Sequence, residues 1–417
     1  MNKLSTNQAI SGIFMALIPP AIYINLKANN IYDKGWTIGE WLISYSGGFI
    51  RRGLPGTIIH TLSKSFDLPV IYLIWAASLC SYAALCVTLV KLCGGKINKA
   101  LLLSPLILLA PLLDNFLVRK DVLVASLYGM CLLANRGNMQ NQNKFHKAII
   151  TVNILSILAI LSHESFGFWG LPSLAIILFK TSLLSGKSKK QSLISAAQYL
   201  APPLIAFALT LAYKGTIQDA QRIHLSWQSM ADLLPSHGAL TAQSPPGAIA
   251  ALGWTIKDGL KLSRSLLYDV SGYFIWTPAA WLCSIYIAAC LFISNFGASG
   301  ASLRRKIVLF QLICISPLFA LGWDFGRWIF LWITSSALLY GFASQKEHLI
   351  ESTNKNKYFN HWEKLFPVFN IKGNLQYTLL FLGIPHCCWS VKHYIEVTPF
   401  GFITSIAERA FDQVFKR

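Results

Sequence analysis

Long apolar stretches alternate with short polar connections along the whole chain. Many of these stretches approach 20 residues, the length that lets a helix cross a hydrocarbon core about 30 Å thick. The pattern predicts about 11 membrane-spanning helices, over residues 8–26, 69–91, 100–117, 121–135, 147–162, 165–183, 195–213, 272–294, 306–322, 326–344 and 374–391. We therefore expect an all-α protein, a polytopic transmembrane helical bundle that forms a single domain over residues 1–417.

Lysine and arginine concentrate in alternate connections between the predicted spans. Positively charged residues favour the cytoplasmic side of a membrane protein. With the N-terminus in the cytoplasm, every short cytoplasmic connection holds several of them. The opposite, outer side then carries two long segments, 27–68 and 214–271, and the cytoplasmic side carries a polar connector at 345–373.

The two long outer segments predict different local structure. The first contains SYSGGFIRRGLPG at 44–56, which is too charged for a clean span. It predicts one or two short helices in the membrane interface, with the arginines directed inward. In the second, apolar residues spaced three and four apart from Ala248 onwards predict an amphipathic helix, either on the membrane surface or packed on the protein. Another amphipathic helix is expected near 402–415.

The composition supports a membrane protein and excludes several other classes. The chain is 54% hydrophobic and 13% charged, whereas soluble domains carry about 25% charged residues. The net charge is +19, but the basic residues are scattered through the connections, so we expect no nucleic-acid partner. The nine cysteines show no metal-ligand spacing, so we predict neither disulfide nor metal site. The N-terminal apolar run is interpreted as a retained helix rather than a cleaved signal.

Two adjacent arginines, Arg51 and Arg52, lie between glycines in the first outer segment. Guanidinium groups bind phosphate oxygens through charge-assisted, often bidentate hydrogen bonds. The alternative is that both side chains extend to lipid headgroups, although two consecutive residues do not share one helix face. We predict that the pair holds the phosphate of a lipid-linked substrate.

A second charged cluster, Arg119-Lys120-Asp121, lies in the turn between two predicted spans. Arg119 and Lys120 offer a second contact to an anion, with Asp121 in support. The alternative is a solvated turn with an internal ion pair, which contributes little. No GxxxxGK[ST] motif is present, so nothing points to a nucleotide phosphate loop.

Two more clusters fall at the same predicted side. His163-Glu164 is either a proton-transfer pair, with burial raising the pKa of the carboxyl, or a helix cap at headgroup level. Asp324 and Arg327 are three residues apart and share a helix face. They either neutralise each other, or Asp324 orients Arg327 toward a phosphate or sugar.

These outer clusters resemble those of polytopic bacterial envelope glycosyltransferases, namely the GT-C-like enzymes and the Wzy-type O-antigen or capsule polymerases. The resemblance rests on about eleven helices, an acidic and arginine-bearing first outer segment, a long second outer segment, and the short motifs RKD, HE and DFGR. It implies a GT-C-like fold. It also implies a catalytic acid in the first outer segment, Asp33 or Glu40, which competes with Glu164 for that role.

The same resemblance implies that outer arginines hold the pyrophosphate of a polyprenyl-linked sugar, which corresponds to Arg51, Arg52 and Arg327. The leading hypothesis is therefore glycosyl transfer, or polysaccharide polymerisation, at the outer face of the bacterial inner membrane. The arginines would stabilise the leaving phosphate. Glu164 first, and Glu40 or Asp33 next, would deprotonate the acceptor hydroxyl. No metal or other cofactor is required by this hypothesis.

Two alternatives stay open. A transporter or flippase for lipid-linked oligosaccharides would handle the same ligand, but repeated halves typical of transporters are not evident in the sequence. A membrane O-acyltransferase would use His163. The expected partners are a polyprenyl-linked saccharide, membrane lipids and envelope-assembly proteins.

Overall fold

The computed structural model describes residues 6–28, 36–93, 106–113, 116–136, 142–233, 245, 247–255, 257–261, 301–322, 324–344, 384, 398, 401–405 and 407. Within these ranges every regular element is a helix, as the sequence predicts. The longer ones are α1 (Thr6–Ala28), α2 (Thr37–Leu42), α3 (Gly53–Phe66), α4 (Val70–Cys93), α5 (Lys120–Arg136), α6 (Gln142–Ser162), α7 (Phe166–Leu184), α8 (Lys189–Tyr199), α9 (Ala201–Ala212), α10 (Ile217–Gln228), α11 (Ala301–Leu321) and α12 (Phe325–Ser344). Short turns of helix lie at Tyr45–Gly47, Ala110–Leu113, Ala231–Leu233, Gly247–Ala250 and Ala251–Gly253.

Three of the described helices are long and apolar enough to cross a membrane, over Val70–Leu92, Asn143–Ser162 and Phe166–Leu184. The bent pair α8 and α9 adds a fourth if it counts as one span. Shorter apolar helices lie within α1 and α11. The described residues thus form a helical membrane protein with fewer evident spans than the 11 expected. The expected span 272–294 lies outside the described residues, as does 374–391 apart from residue 384.

The expected span 195–213 is broken at Leu200, where α8 ends and α9 begins at an angle of 61°. Pro202 and Pro203 follow directly. Proline has no N–H to donate and disfavours helical backbone in the residue before it. One straight helix is therefore the wrong prediction here, and the bend turns the chain toward the site described below.

The expected span 100–117 is also corrected in its described part, which holds turns and the four-residue helix Ala110–Leu113. Its side chains from Leu106 to Leu113 are buried. Neighbouring helices supply donors to the carbonyls that this irregular backbone leaves unpaired. The Asn25 amide donates to Leu112 O at 2.5 Å, and the Tyr82 hydroxyl donates to Leu108 O at 2.9 Å. Irregular backbone at this depth is stable because protein covers and satisfies it.

The described part of residues 214–271 also departs from expectation. The predicted continuous helix from Ala248 breaks at Trp254–Thr255 into short pieces, and residues 262–271 lie outside the described part. Thr255 donates to the Asp258 carboxylate from its backbone N–H and hydroxyl, which starts a new short helix at 257–261. The sequence prediction missed α10, which begins at a capping box between Thr216 and Asp219. The described part of residues 27–68, for which one or two short helices were expected, contains α2 and α3.

Helices α5 and α12 form the centre of the bundle. Helix α5 packs against α4, α6 and α12, and α12 also packs against α4 and α11. Almost all of α12 is buried, in keeping with a sequence that is apolar on every face. The expected connector 345–373 lies outside the described residues, and of the expected helix at 402–415 only 401–405 and 407 are described, as helix.

Candidate anion-binding site

The four charged clusters meet at one end of the bundle, where α3, α5, α7 and α12 begin. Each cluster immediately precedes or opens one of these helices: Arg51-Arg52 before α3, Arg119-Lys120-Asp121 at the start of α5, His163-Glu164 before α7, and Asp324 with Arg327 at the start of α12. Ion pairs link the clusters, and these contacts join residues up to 206 positions apart.

The arginine loop, residues 44–52, is held by close backbone contacts. A Cβ atom at Gly56 would lie 2.1 Å from the carbonyl oxygen of Ile43. Glycine at this position therefore allows α3 to pack directly against the segment that precedes the loop. The Arg51 N–H donates to Tyr213 O at 2.9 Å, which ties the loop to the end of α9. Arg52 has a left-handed backbone with φ of 64°, a conformation unfavourable for a side chain larger than glycine and often found at functional sites.

Glu164 forms the main contact of the arginine pair. Its carboxylate accepts from Arg52 Nε at 2.7 Å and from Arg52 Nη2 at 2.5 Å, and Arg51 Nη1 lies at 3.5 Å. The two arginine side chains are 26% and 23% exposed and the carboxylate 10%. They face a cavity and are not extended away from the protein as the headgroup alternative requires.

The expected rise in the pKa of Glu164 is wrong for this arrangement. Burial does act to raise the pKa, but the charge of Arg52, the hydrogen bonds from it and the charge of Arg51 outweigh burial and hold the pKa well below its usual value. Glu164 is therefore ionised and paired with Arg52. In this state it is a poor proton acceptor.

Glu40 and Arg119 form a second, buried pair. Arg119 Nη1 donates to Glu40 Oε1 at 2.7 Å, and Arg327 Nη1 lies 3.4 Å from the same oxygen. Burial acts to raise the pKa of Glu40, and the charges of Arg327 and Arg119 overcome it, so the pKa is lowered. Glu40 Oε2 is buried with no hydrogen-bond partner among the described residues.

Arg327 is surrounded by acids. Its Nε donates to Asp121 Oδ2 at 2.6 Å and its Nη1 donates to Asp324 Oδ2 at 2.5 Å, while the side chain is only 2% exposed. Asp324 is 20% exposed and faces the cavity. The sequence prediction that Arg327 contacts phosphate stays a prediction. In the structure its guanidinium pairs with acids of α2 and α5 and so holds α2, α5 and α12 together.

His163 is a buried neutral imidazole. Burial is the main cause that lowers its pKa well below the ordinary value, and the charge of Arg52 lowers it further. Its Nδ1 accepts from the Ser165 N–H at 3.2 Å, which leaves the proton on Nε2. Glu164 Oε2 is 3.9 Å from Nδ1, too far for a hydrogen bond.

These groups line a cavity of about 340 Å³. Five cations and three carboxylates contribute to its wall, which leaves an excess of two positive charges: Arg51, Arg52, Arg119, Lys214 and Arg327 against Glu40, Glu164 and Asp324. Apolar side chains from several elements complete it, including Phe168, Leu211, Leu260 and Leu318. A space with cationic and apolar walls suits an amphiphilic anion.

Three residues of the cavity wall were not among the predicted site residues. Lys214 follows α9 and is exposed in the wall, and nothing in its neighbourhood marks it in the sequence. Trp36 and Trp254 pack edge to face with ring centroids 5.7 Å apart, and both line the cavity. Tryptophans beside charged outer segments are a weak signal, because interfacial belts use the same residues.

Of the predicted site residues that the structure describes, two take no part in the cavity wall, Lys120 and Asp121. Lys120 is fully buried, and its ammonium donates to the backbone carbonyl of Arg52 at 3.0 Å. Asp33, one candidate base, lies outside the described residues. Among the residues that the structure describes, no group of three His, Cys, Asp or Glu side chains could hold a metal ion.

Comparison with known proteins gives one family. The model of the family described as "Uncharacterised membrane protein Rv1490" matches residues 11–234, more than half of the 417-residue chain. The match includes the arginine loop and the clusters at 119–121 and 163–164, and it ends before Asp324 and Arg327. Neither the curated proteins nor the solved structures gave a match. The chain therefore belongs to the Rv1490 family of membrane proteins.

Proposed function

We propose that the protein is a membrane glycosyltransferase, or a polysaccharide polymerase, that uses a sugar linked to polyprenyl phosphate or pyrophosphate. In this proposal the reaction takes place at the outer face of the bacterial inner membrane, on a GT-C-like helical bundle with about 11 spans and a cytoplasmic N-terminus. The observation that carries the proposal is the adjacent pair Arg51 and Arg52, partly open to a cavity with net positive charge.

The cavity supports an amphiphilic donor in particular. Guanidinium forks match phosphate oxygens in shape and charge, and Lys214 adds an exposed ammonium in the same wall. Phe168, Leu211 and Leu260 provide apolar surface next to these cations. A free sugar nucleotide would gain little from that apolar surface, whereas the first isoprene units of a lipid carrier would bury area against it.

The chemistry follows from the placement of cations and acids. The acceptor hydroxyl oxygen forms a bond to the anomeric carbon, and the bond from that carbon to the phosphate oxygen breaks. The electron pair leaves on the phosphate, where Arg51 and Arg52 stabilise the developing charge. The hydroxyl proton passes to a carboxylate, for which Glu164 is the first candidate because it adjoins the arginine pair; Glu40 and Asp33 are next.

Cells that lack the gene test the proposal. Polyprenyl-linked saccharides are extracted and analysed by mass spectrometry. We expect the lipid-linked donor to accumulate and the glycan product to disappear, wild-type protein to restore both, and Arg52→Ala to restore neither while still reaching the membrane. The matched control is Arg222→Ala, an exposed arginine that pairs with Asp219 and does not line the cavity.

A second measurement separates transfer from transport. Detergent-solubilised protein is incubated with the extracted donor and an acceptor glycan, so that no membrane compartments exist. Formation of a new glycosidic bond supports transfer. A donor that accumulates in deleted cells but is never consumed in detergent points to the transporter instead, and an unchanged lipid-linked pool after deletion excludes the proposal.

A further inference from the structure

The carboxylate of Glu164 binds the arginine pair in the way a phosphate would. Both of its oxygens accept from the fork of Arg52, at 2.7 and 2.5 Å, and one lies 3.5 Å from Arg51 Nη1. Bidentate pairing with a guanidinium is common to carboxylates and phosphates. The strongest anion contact of this site is therefore taken by the protein's own side chain.

The arginine pair has further capacity for an anion. Arg51 Nε is buried with no hydrogen-bond partner among the described residues, although a buried N–H of a charged group normally has one. The single oxygen near Arg51 is at the limit of hydrogen-bond distance. One carboxylate carries one negative charge for two guanidinium groups. It pairs fully with Arg52 and leaves Arg51 with only one long contact to an acid.

We propose that Glu164 is a resident anion that keeps the Arg51-Arg52 site closed in the unliganded protein, and that the pyrophosphate of an isoprenyl lipid displaces it. A pyrophosphate has more oxygens and more charge than a carboxylate, so it can engage both arginines at once. The displaced carboxylate remains in the wall of the cavity beside the new ligand. This inference rests on the proposed function for the identity of the ligand.

The exchange changes what Glu164 can do. Once the guanidinium groups pair with the ligand, burial and the nearby negative charge both favour the protonated carboxyl. The other groups that act on this carboxylate are a neutral imidazole on its own segment and an ammonium on α5, namely His163 and Lys120. Neither replaces the two hydrogen bonds from Arg52. Donor binding thus frees Glu164 from its ion pair and raises its affinity for a proton. Part of the population takes up a proton on binding, and the part that stays ionised is a stronger base next to the reacting phosphate.

Calorimetry on the detergent-solubilised full chain tests the exchange, with farnesyl pyrophosphate as the probe. Glu164→Gln removes the competing charge, so we expect it to bind the probe at least about tenfold more tightly than wild type. Titrations in buffers of different ionisation enthalpy measure proton uptake. We expect wild type to take up more protons on binding than Glu164→Gln, because the variant retains only the ligand's own titration. Asp232→Asn, at an exposed carboxylate outside the cavity, is the control.

Inorganic pyrophosphate and phosphatidate in mixed micelles separate the sources of the anion. Tighter binding of all three probes by Glu164→Gln means that any phosphate displaces the carboxylate, whereas an effect limited to farnesyl pyrophosphate means that the lipid chain is needed. Equal or weaker binding by a folded Glu164→Gln protein overturns the proposal. If that variant does not fold, binding of farnesyl pyrophosphate by wild type with no proton uptake beyond the ligand's own titration overturns it.

The outcomes also separate this inference from the proposed function. Tighter pyrophosphate binding by Glu164→Gln, without any glycosyl transfer by wild type, leaves the resident anion intact and removes the enzyme. Glycosyl transfer by wild type, with no change in affinity in Glu164→Gln, keeps the enzyme and removes the resident anion.

Discussion

The ammonium of Lys120 donates a 3.0 Å hydrogen bond to the backbone carbonyl oxygen of Arg52. Lys120 is the first residue of α5 and is fully buried, and Arg52 has the left-handed backbone that precedes α3. A buried cation aimed at a carbonyl fixes the direction in which that peptide points. The central helix of the bundle therefore determines where the arginine pair is presented.

Lys120→Met should move the arginine pair while keeping the volume of the side chain. The loss of one buried, charged hydrogen bond predicts about tenfold weaker binding of farnesyl pyrophosphate. Calorimetry on solubilised protein measures this. Lys120→Arg retains the charge, but its longer and planar guanidinium does not reproduce the position of the ammonium at the carbonyl. If Lys120→Arg binds like wild type, the charge alone matters and the positioning role is wrong.

The backbone at Arg52 predicts a difference between two substitutions. Arg52→Ala and Arg52→Gly both remove the guanidinium, and both should lose anion binding. Glycine adopts φ near 64° without the Cβ penalty, so Arg52→Gly should be more stable than Arg52→Ala by about 1 kcal/mol. Thermal unfolding in detergent compares the two variants. Equal melting temperatures would show that the left-handed conformation is not kept in solution.

Arg327→Met should be strongly destabilising. It leaves the buried carboxylates of Asp121 and Glu40 short of a cation, and breaking such a buried pair costs about 3–5 kcal/mol. The yield of folded protein from membranes and its melting temperature report the effect. Adding Asp121→Asn to the same chain removes one unpaired charge and should recover part of the loss. A single variant as stable as wild type would contradict the placement of Arg327 among the acids.

Acid should weaken the fold in two windows. The pKa of His163 is lowered in the folded protein, so its contribution is present above the ordinary histidine value of about 6.5 and is lost as the pH falls below it. Glu164 and Glu40 also have lowered pKa values, and their contribution is present above about 4.3 and lost at lower pH. Melting temperature against pH measures both windows.

Two variants identify the residues that cause the loss of stability in each pH range. His163→Gln should remove the part of the pH dependence that begins near 6.5. Glu164→Gln should reduce the part that begins near 4.3, to which Glu40 also contributes. A pH profile that neither substitution alters would show that other groups set the acid sensitivity.

The sequence predicted that the charged clusters lie together, and the structure brings them to one end of the bundle, although fewer of the described helices are evident as spans than the count assumed. Each cluster stands directly before a helix start or opens it, so the ends of the predicted spans fixed the side on which the cluster lies. Lengths of apolar sequence determine helices that cross a hydrocarbon layer. The same argument failed at Leu200, where two prolines break the run, and at Leu106–Leu113, where protein donors from Asn25 and Tyr82 support irregular backbone.

The pairing inside the site could not be predicted in the same way. Spacing suggested that Arg327 pairs with Asp324, three residues before it, and this contact exists. A second acid partner, Asp121, is 206 residues away and buried, and no local pattern links it to Arg327. The pKa direction of Glu164 depends likewise on its distance to Arg52. The start of α10 could have been predicted from the sequence, because Thr216 and Asp219 have the spacing of a helix-capping pair.

The position of Arg327 late in the sequence has a consequence for synthesis of the chain. Asp121 and Glu40 are synthesised well before the helix that contains Arg327. Arg327 follows Asp121 by 206 residues. During that interval the nascent chain has its acids without this counter-ion. The pocket can reach its final form only when translation has passed residue 327, so the site is completed late in the synthesis of the chain.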